Sequence, residues 1–186
     1  MGRSKSKSKT LSKQHVISAL VENRAGTLSR VAGLFSRRGY NIDSLTVGET
    51  EDPSVSRMTI AVTGEERILE QIVKQLEKLV DVIAVRELDS FSCLRREIVL
   101  VKIGADESSR PAVLEIAGIF RARVVDVSQS TITVEATGSV EKLNGLILLM
   151  RPYGILELAR TGLVALDRGA QALSVSEDQQ QQESSF

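Results

Sequence analysis

The feature that most constrains this sequence is a switch in hydrophobic period that occurs twice in the same order. Short apolar runs rich in β-branched residues predict strands, and runs with apolar residues three and four positions apart predict helices. In the first half of the chain these runs follow the order β-α-β-β-α-β, with turn residues between them. That order favours a split-βαβ unit, in which both helices cover one face of a four-stranded antiparallel sheet.

The elements of the first half are bounded by clear turn signals. Residues 16–21 form an apolar run that ends at a polar turn closed by Gly26, and a helical stripe follows until Gly39. That stripe consists of Leu28, Val31, Ala32 and Phe35. Further strands are predicted at 42–47, 55–63 and 82–88, and a second helix has its buried stripe at Leu69, Ile72, Val73, Leu76, Leu79 and Val80. We expect this first domain to span residues 14–89.

The second half repeats the order with little sequence identity. Strands are predicted at 97–103, 124–127, 131–136 and 155–165, and helices are predicted to begin within 106–111 and to cover 139–150. We therefore expect two tandem ferredoxin-like βαββαβ domains of the α+β class, the second at 96–170 after a linker at 90–95. Residues 1–13 are basic and Ser-rich, and 171–186 is Gln-rich, so both are predicted to be disordered tails.

Catalytic and metal-binding chemistry has little support in the sequence. His15 is the only histidine and Cys93 the only cysteine, so neither a Ser-His-Asp triad nor a metal site built from such ligands is indicated. No Gly-rich phosphate-binding motif follows a predicted strand. The acidic residues are spread over predicted helix surfaces and loops, which is typical of solvated charges. We therefore expect no enzyme activity, metal or cofactor in this chain by itself.

Nucleic-acid and membrane binding are not expected either. The 24 basic and 24 acidic residues balance, so no net positive field attracts a polyanion. In RNA-recognition modules of this topology, bases stack on aromatic side chains of the two central strands, and the corresponding segments here, 14–21 and 55–62, contain none. No apolar run approaches the roughly 20 residues that span a bilayer. A single cysteine and the absence of a signal-peptide pattern favour a cytoplasmic location.

One turn has a composition suited to a small zwitterion. Gly26 immediately precedes the first helix, whose unpaired N–H groups and positive dipole end attract a carboxylate. Asn23 in the same turn and Asn41 after the helix each carry a hydrogen-bond donor and an acceptor. Asn and Gly are also ordinary turn residues. The spacing alone therefore leaves a structural role and a ligand-binding role open.

Three segments of the first half carry a resemblance to a known family. Residues 22–31 (ENRAGTLSRV), 33–42 (GLFSRRGYNI) and 44–47 (SLTV) closely resemble the small subunit of acetolactate (acetohydroxyacid) synthase, and looser matches continue through the second half. The resemblance implies that the first domain is an ACT domain, an amino-acid-binding module that forms a homodimer. It also implies that the second domain helps to activate a large catalytic subunit.

The resemblance also implies an effector site between two ACT domains, where the family binds a branched-chain amino acid, chiefly valine. The family's positions match Asn23, Gly26 and Asn41, with Asn41 expected from the partner chain. Backbone N–H groups around Gly26 would take the carboxylate, while Leu28 and Ile42 would offer apolar surface to the branched side chain. The expected effector-binding residues are Asn23, Ala25, Gly26, Thr27, Leu28, Asn41 and Ile42.

By the same resemblance, thiamine diphosphate, FAD and Mg²⁺ belong to the large subunit and none of them to this chain. The implied role is that of a regulatory subunit in valine, leucine and isoleucine biosynthesis. A free-standing amino-acid-binding ACT regulator of a different enzyme is the alternative. The chain departs from its relatives at 121–123 (RAR), where a Gly often follows the helix.

Overall fold

The computed structural model describes residues 13–89 and 91–174. They form two compact units, one made of the chain up to Ser92 together with the chain from Asp167, and the other of Cys93–Leu166. Each unit is an antiparallel sheet with two helices packed on one face, so the predicted α+β class with tandem ferredoxin-like domains is confirmed. Except for Lys13 and for 171–174, the predicted tails lie outside the described residues.

The first unit places its core between one face of the sheet and both helices. Its elements are β1 (Lys13–Glu22), α1 (Thr27–Arg37), β2 (Ser44–Glu49), β3 (Val55–Gly64), α2 (Glu66–Leu76) and β4 (Val82–Leu88). The strands are antiparallel in the order β2-β3-β1-β4. Ile17, Met58 and Ile60 of the sheet pack against Phe35 of α1 and Ile72 of α2. Every second residue of β1 and β3, at 17, 19 and 21 and at 58, 60 and 62, belongs to this core, as the strand period of two predicts.

The second helix ends earlier than its hydrophobic stripe predicts. α2 ends at Leu76, and turns follow in which Leu79 N donates to Leu76 O and Val82 N donates to Leu79 O. Leu79 still packs against the core, but Val80 is 94% exposed, so its predicted burial is wrong. Because β4 begins at Val82, a helix continued to Val80 would leave a single residue in which to reverse the chain.

The second unit repeats the architecture with one strand more. Its elements are β5 (Cys93–Gly104), α3 (Arg110–Ile119), β6 (Arg123–Val127), β7 (Thr131–Gly138), α4 (Val140–Met150), a 3₁₀ turn (Arg151–Tyr153), β8 (Ile155–Arg160) and β9 (Val164–Asp167). The sheet order is β6-β7-β5-β8, and β9 also pairs with β5. Val101, Val134, Leu143 and Leu146 are fully buried between the sheet and the helices.

Both ends of the second unit differ from the prediction. Cys93 is buried at the start of β5, so the predicted linker at 90–95 is shorter than expected. The predicted single strand at 155–165 is wrong, since Gly162 turns the chain with a φ of +83° between β8 and β9. β8 pairs with only 99–103 of the twelve-residue β5, which leaves backbone groups of β5 for a second strand.

The helix end that lacks the usual Gly has Arg121 in the left-handed conformation. Its φ of +52° is the only positive value at a non-Gly position among residues 13–89 and 91–174. Arg121 N donates to Gly118 O, and Ala122 N donates to Ala117 O, as in a Gly-terminated helix. A residue with a Cβ bears roughly 1–2 kcal/mol of strain in this conformation. The departure therefore changes the residue and not the geometry of the helix end.

The chain returns to the first unit at Asp167, the last residue of β9. Asp167 Oδ2 lies 3.1 Å from Arg86 Nη1, and Arg57 Nη2 donates to the carbonyl of Leu173 at 3.4 Å. The second unit therefore ends at Leu166 and not at the predicted 170, and the carbonyls of Ala172 and Leu173 accept hydrogen bonds from the first unit although 171–174 was predicted to be part of a tail. Backbone carbonyls accept some of these bonds, and since every residue has a carbonyl, the sequence pattern does not reveal them.

Candidate functional site

The turn between β1 and α1 is anchored from two sides. Glu22 N donates to Asp81 O at 2.9 Å, in the loop between α2 and β4. Asn23 N donates to Ser54 O at 2.7 Å, in the hairpin between β2 and β3. The turn thus lies where two loops of the first unit's sheet meet.

Gly26 is the N-cap of α1 and leaves the start of this helix without a side-chain cap. Its φ of +89° is left-handed, a conformation that favours Gly, and the residue is exposed. By contrast, the N-cap of α4 is Ser139, whose hydroxyl accepts from Lys142 N. An uncapped helix start has spare N–H groups and a partial positive charge, so it suits a carboxylate.

The amide nitrogen and the amide oxygen of Asn23 have different roles. Its Nδ2 donates to Glu49 Oε1 at 3.0 Å and to Pro53 O at 2.9 Å, which ties the turn to the neighbouring hairpin. Its Oδ1 accepts no hydrogen bond from any residue in the described part of the chain. The donor expected to orient a ligand is therefore used structurally, and the remaining acceptor matches an ammonium group.

Arg30 and Asp81 stand beside this turn, and the sequence reasoning missed both. The Arg30 guanidinium makes a two-pronged ion pair with the Asp81 carboxylate, through Nε to Oδ2 and through Nη2 to Oδ1 at 2.6 Å. This bonding lowers the pKa of Asp81 and raises that of Arg30. The available signal was helical spacing, because residues four apart, such as Gly26 and Arg30, are neighbours on one helix face.

The structure divides the seven expected effector residues between the two ends of α1. Asn23, Ala25, Gly26, Thr27 and Leu28 lie together at its start, where Thr27 is buried and Leu28 is 47% exposed. Asn41 is exposed beyond the other end, and Ile42 packs partly against the core. Eleven residues at about 1.5 Å each separate the two groups by roughly 16 Å. One small molecule cannot contact both groups within a single chain.

The corresponding turn of the second unit contains its own anion. Asp106 Oδ1 accepts from Ser108 N at 3.1 Å and from Ser109 N at 2.8 Å, and also from both hydroxyls. These hydrogen bonds, led by those from Ser109, lower the pKa of Asp106 to about 2. The chain's own carboxylate thus takes the position that a ligand carboxylate would need. Of these two turns, the one before α1 is therefore the open one.

The bonding of Asp106 predicts a pH-dependent contribution to stability. We expect Asp106→Asn to lower the midpoint of thermal unfolding at neutral pH, because a neutral amide oxygen is the weaker acceptor. The folded pKa of about 2 lies below the ordinary 3.8, so the wild-type advantage is complete above about pH 4 and is lost as the pH falls through 2. Circular-dichroism melts across this range measure the difference between the two proteins.

The matched control is Asp126→Asn, a change at an exposed carboxylate of β6 in the same unit. Its midpoint should follow that of the wild type at every pH. A deficit of Asp106→Asn that persists unchanged near pH 2 would contradict the prediction.

The two residues considered above for catalysis, His15 and Cys93, are both buried. His15 is buried, with Nδ1 2.9 Å from Glu87 Oε1, and Cys93 is a buried free cysteine. Within 13–89 and 91–174, no three His, Cys, Asp or Glu residues are grouped as a metal site would require. No helix of the described chain has both the length and the apolar character needed to cross a bilayer.

The chain has the tandem ferredoxin-like architecture of ACT-domain proteins, with an open turn before α1, and comparison with known proteins agrees. A family model described as "AHAS small subunit-like ACT domain" matches residues 17–84, and one described as "Small subunit of acetolactate synthase" matches residues 96–169. The chain therefore belongs to the family of acetolactate synthase small subunits, which are regulatory subunits.

Individual relatives match over nearly their whole length. A probable acetolactate synthase small subunit of Methanothermobacter thermautotrophicus is 52% identical over 160 residues, which cover 86% of this chain and 95% of the relative. An acetolactate synthase small subunit of Mycobacterium bovis is 49% identical over 164 residues, covering 88% and 98%. The crystal structure of the Thermotoga maritima small subunit superposes with a TM-score of 0.80 at 40% identity, covering 86% and 99%.

Proposed function

We propose that this chain activates the large catalytic subunit of an acetolactate synthase and makes it subject to inhibition by valine or another branched-chain amino acid. The observation that carries the proposal is the uncapped, Gly-closed turn at the start of α1, in a chain of this family. The large subunit would hold thiamine diphosphate, FAD and Mg²⁺ and perform the reaction. Both subunits would act in the cytoplasm.

The turn has complementary groups for both charges of an amino acid. N–H groups around Gly26 would take the carboxylate, in competition at Thr27 N with the Arg24 carbonyl 3.3 Å away, and Asn23 Oδ1 would accept from the ammonium group. The exposed side chain of Leu28 would pack against the branched aliphatic group. One methylene is worth about 1–3 kcal/mol in an apolar site, so valine, leucine and isoleucine are expected to differ measurably in affinity.

A homodimer would complete the site. Because Asn41 and Ile42 lie roughly 16 Å from Gly26 along α1, they would contact the ligand only from the partner chain. A ligand shared by two chains favours one arrangement of the dimer, and the catalytic subunit responds to that arrangement. Such couplings are typically about 1–3 kcal/mol, which is enough for strong but incomplete inhibition.

Reconstitution with the large subunit tests the function directly. The full chain should raise the rate at which the large subunit condenses pyruvate, and valine should remove much of that increase. The chain alone should form no acetolactate. If a tagged chain fails to retain a thiamine-dependent synthase when purified from its native cell, the proposal fails and a free-standing ACT regulator of another enzyme takes its place.

A complementation experiment tests the shared site. Asn23→Ala and Asn41→Ala should each abolish most valine binding, because every site in either homodimer lacks one amide. In a heterodimer of the two variants, one site has both changes and the other has neither. After full subunit exchange in an equal mixture, about one site in four should bind valine normally, as counted by isothermal titration calorimetry.

Circular dichroism of each variant serves as the folding control, since Asn23 also bonds to the β2–β3 hairpin. If the mixed variants still bind no valine after subunit exchange, the result would contradict a site built from two chains. Normal valine binding by either variant alone would contradict it as well.

A further inference from the structure

We propose that Arg30 is a specificity-determining residue of the effector site, with Nη1 binding the amino acid's carboxylate, and that Asp81 is the positioning residue that holds the guanidinium in place. This inference rests on the proposed function, since it names a further residue of the same site. Arg30 would offer the ligand's carboxylate a full positive charge, whereas backbone N–H groups at a helix start carry only partial charges.

The guanidinium lies directly over the open turn. Nη1 of Arg30 is 3.0 Å from the point where a Cβ on Gly26 would stand, and its central carbon is 3.7 Å from the same point. The side chain is about half exposed, so a ligand in the turn can reach it. Gly26 therefore has a second reason to lack a side chain, because any Cβ would crowd the guanidinium of Arg30.

The bonding of Arg30 leaves one edge of the guanidinium available. Arginine has five N–H donors in a fixed plane. Asp81 takes Nε and Nη2, and Thr27 Oγ1 lies 3.5 Å from Nη2. Nη1 donates no hydrogen bond to any group in the described part of the chain. A guanidinium held along one edge and open along the other is preorganised for a second carboxylate.

Asp81 is well placed to fix this orientation. Its side chain is only 14% exposed, and its backbone carbonyl accepts from Glu22 N at the end of β1. The residue therefore connects the loop before β4 to the turn through both its backbone and its side chain. A guanidinium anchored in this way loses little further rotamer entropy when a ligand binds.

Two single variants separate recognition from anchoring. Arg30→Gln and Asp81→Asn break the same ion pair, so both should lower the urea midpoint of unfolding by similar amounts. Arg30→Gln should also weaken valine binding to the full chain by about 10- to 100-fold, as expected for a lost bond to a charged group. Asp81→Asn leaves the cation in place, so its loss should stay below about fivefold. Calorimetric titration with valine measures both affinities.

The matched control is Arg86→Gln, which breaks an arginine–aspartate pair of the same unit away from the turn and should change valine affinity less than about twofold. If Arg30→Gln does not fold, Arg30→Lys is the substitute. Its single ammonium cannot hold Asp81 and the ligand together, so it should bind valine more weakly than Asp81→Asn does.

The outcomes separate this inference from the proposed function. A wild-type chain that binds none of valine, leucine and isoleucine overturns both. A wild-type chain that binds valine, together with an Arg30→Gln variant of unchanged affinity, overturns the inference and leaves the proposed function standing. Equal losses in Arg30→Gln and Asp81→Asn also overturn it, because Arg30 then acts only through its ion pair.

Discussion

Gly26→Asp is expected to weaken valine binding by about 100-fold or more, since like charges in contact cost several kcal/mol. The new carboxylate would stand where the effector's carboxylate is expected. Its Cβ would meet Arg30 Nη1 at 3.0 Å, so the side chain would displace or neutralise that guanidinium. The left-handed φ of +89° adds strain for any residue with a Cβ. Titration calorimetry with valine on the full chain measures the loss.

Two further variants separate charge from backbone strain. Gly26→Ala has the same φ and the same Cβ without a charge, so its loss of affinity should be clearly smaller. Gly154→Asp places an aspartate at a φ of +82° in the second unit, where nothing lies within 4 Å of the added Cβ. It should bind valine like the wild type. Unchanged affinity in Gly26→Asp would rule out carboxylate binding at this turn.

Arg160→Met is expected to destabilise the second unit by roughly 1–3 kcal/mol, the cost of leaving a buried polar group without its hydrogen-bond partner. Glu97 on β5 is only 6% exposed, and its Oε1 accepts from Arg160 Nε on β8 at 2.9 Å. Arg160 also donates to Asn144 Oδ1 of α4. Methionine fills similar volume, so the loss would come from an uncompensated buried carboxylate. Urea unfolding followed by circular dichroism measures it.

The same two strands offer a matched control. Lys102 of β5 and Glu157 of β8 form an ion pair of 3.0 Å whose side chains are both exposed. Glu157→Gln should cost no more than about 1 kcal/mol, because solvent already screens the pair. The double variant Glu97→Met/Arg160→Met removes the stranded charge and should recover most of the stability. Equal losses in Arg160→Met and Glu157→Gln would contradict the role of burial.

Much of the fold could be predicted from the hydrophobic period alone. The strand predicted at 82–88 coincides with β4, and α1 differs from its predicted stripe by one residue at its start. The predictions failed where the hydrophobic pattern continues although the chain has to turn. The apolar pattern continues to Val80 although the chain must turn after Leu76, and Gly162 interrupts an extended run that otherwise reads as one strand.

The candidate site was accessible only in part. Turn chemistry and the family resemblance pointed to Asn23, Gly26 and Asn41. Neither showed that Asn23 Nδ2 donates its hydrogen bonds to the β2–β3 hairpin. Asp81 is 51 residues from Arg30 in the sequence. Because a single sequence carries no record of such distant pairs, this contact was beyond prediction.

By itself, the sequence determined the α+β class, the doubled βαββαβ order and the turn at Gly26, because these depend on local period and on backbone freedom at single residues. Only the tertiary structure decided which charges lie beside the open turn. In the first unit the packing brings Arg30 against Asp81 and leaves Nη1 over Gly26. Charges distant in sequence meet only when the sheet and helices pack, so their pairing is a property of the folded chain.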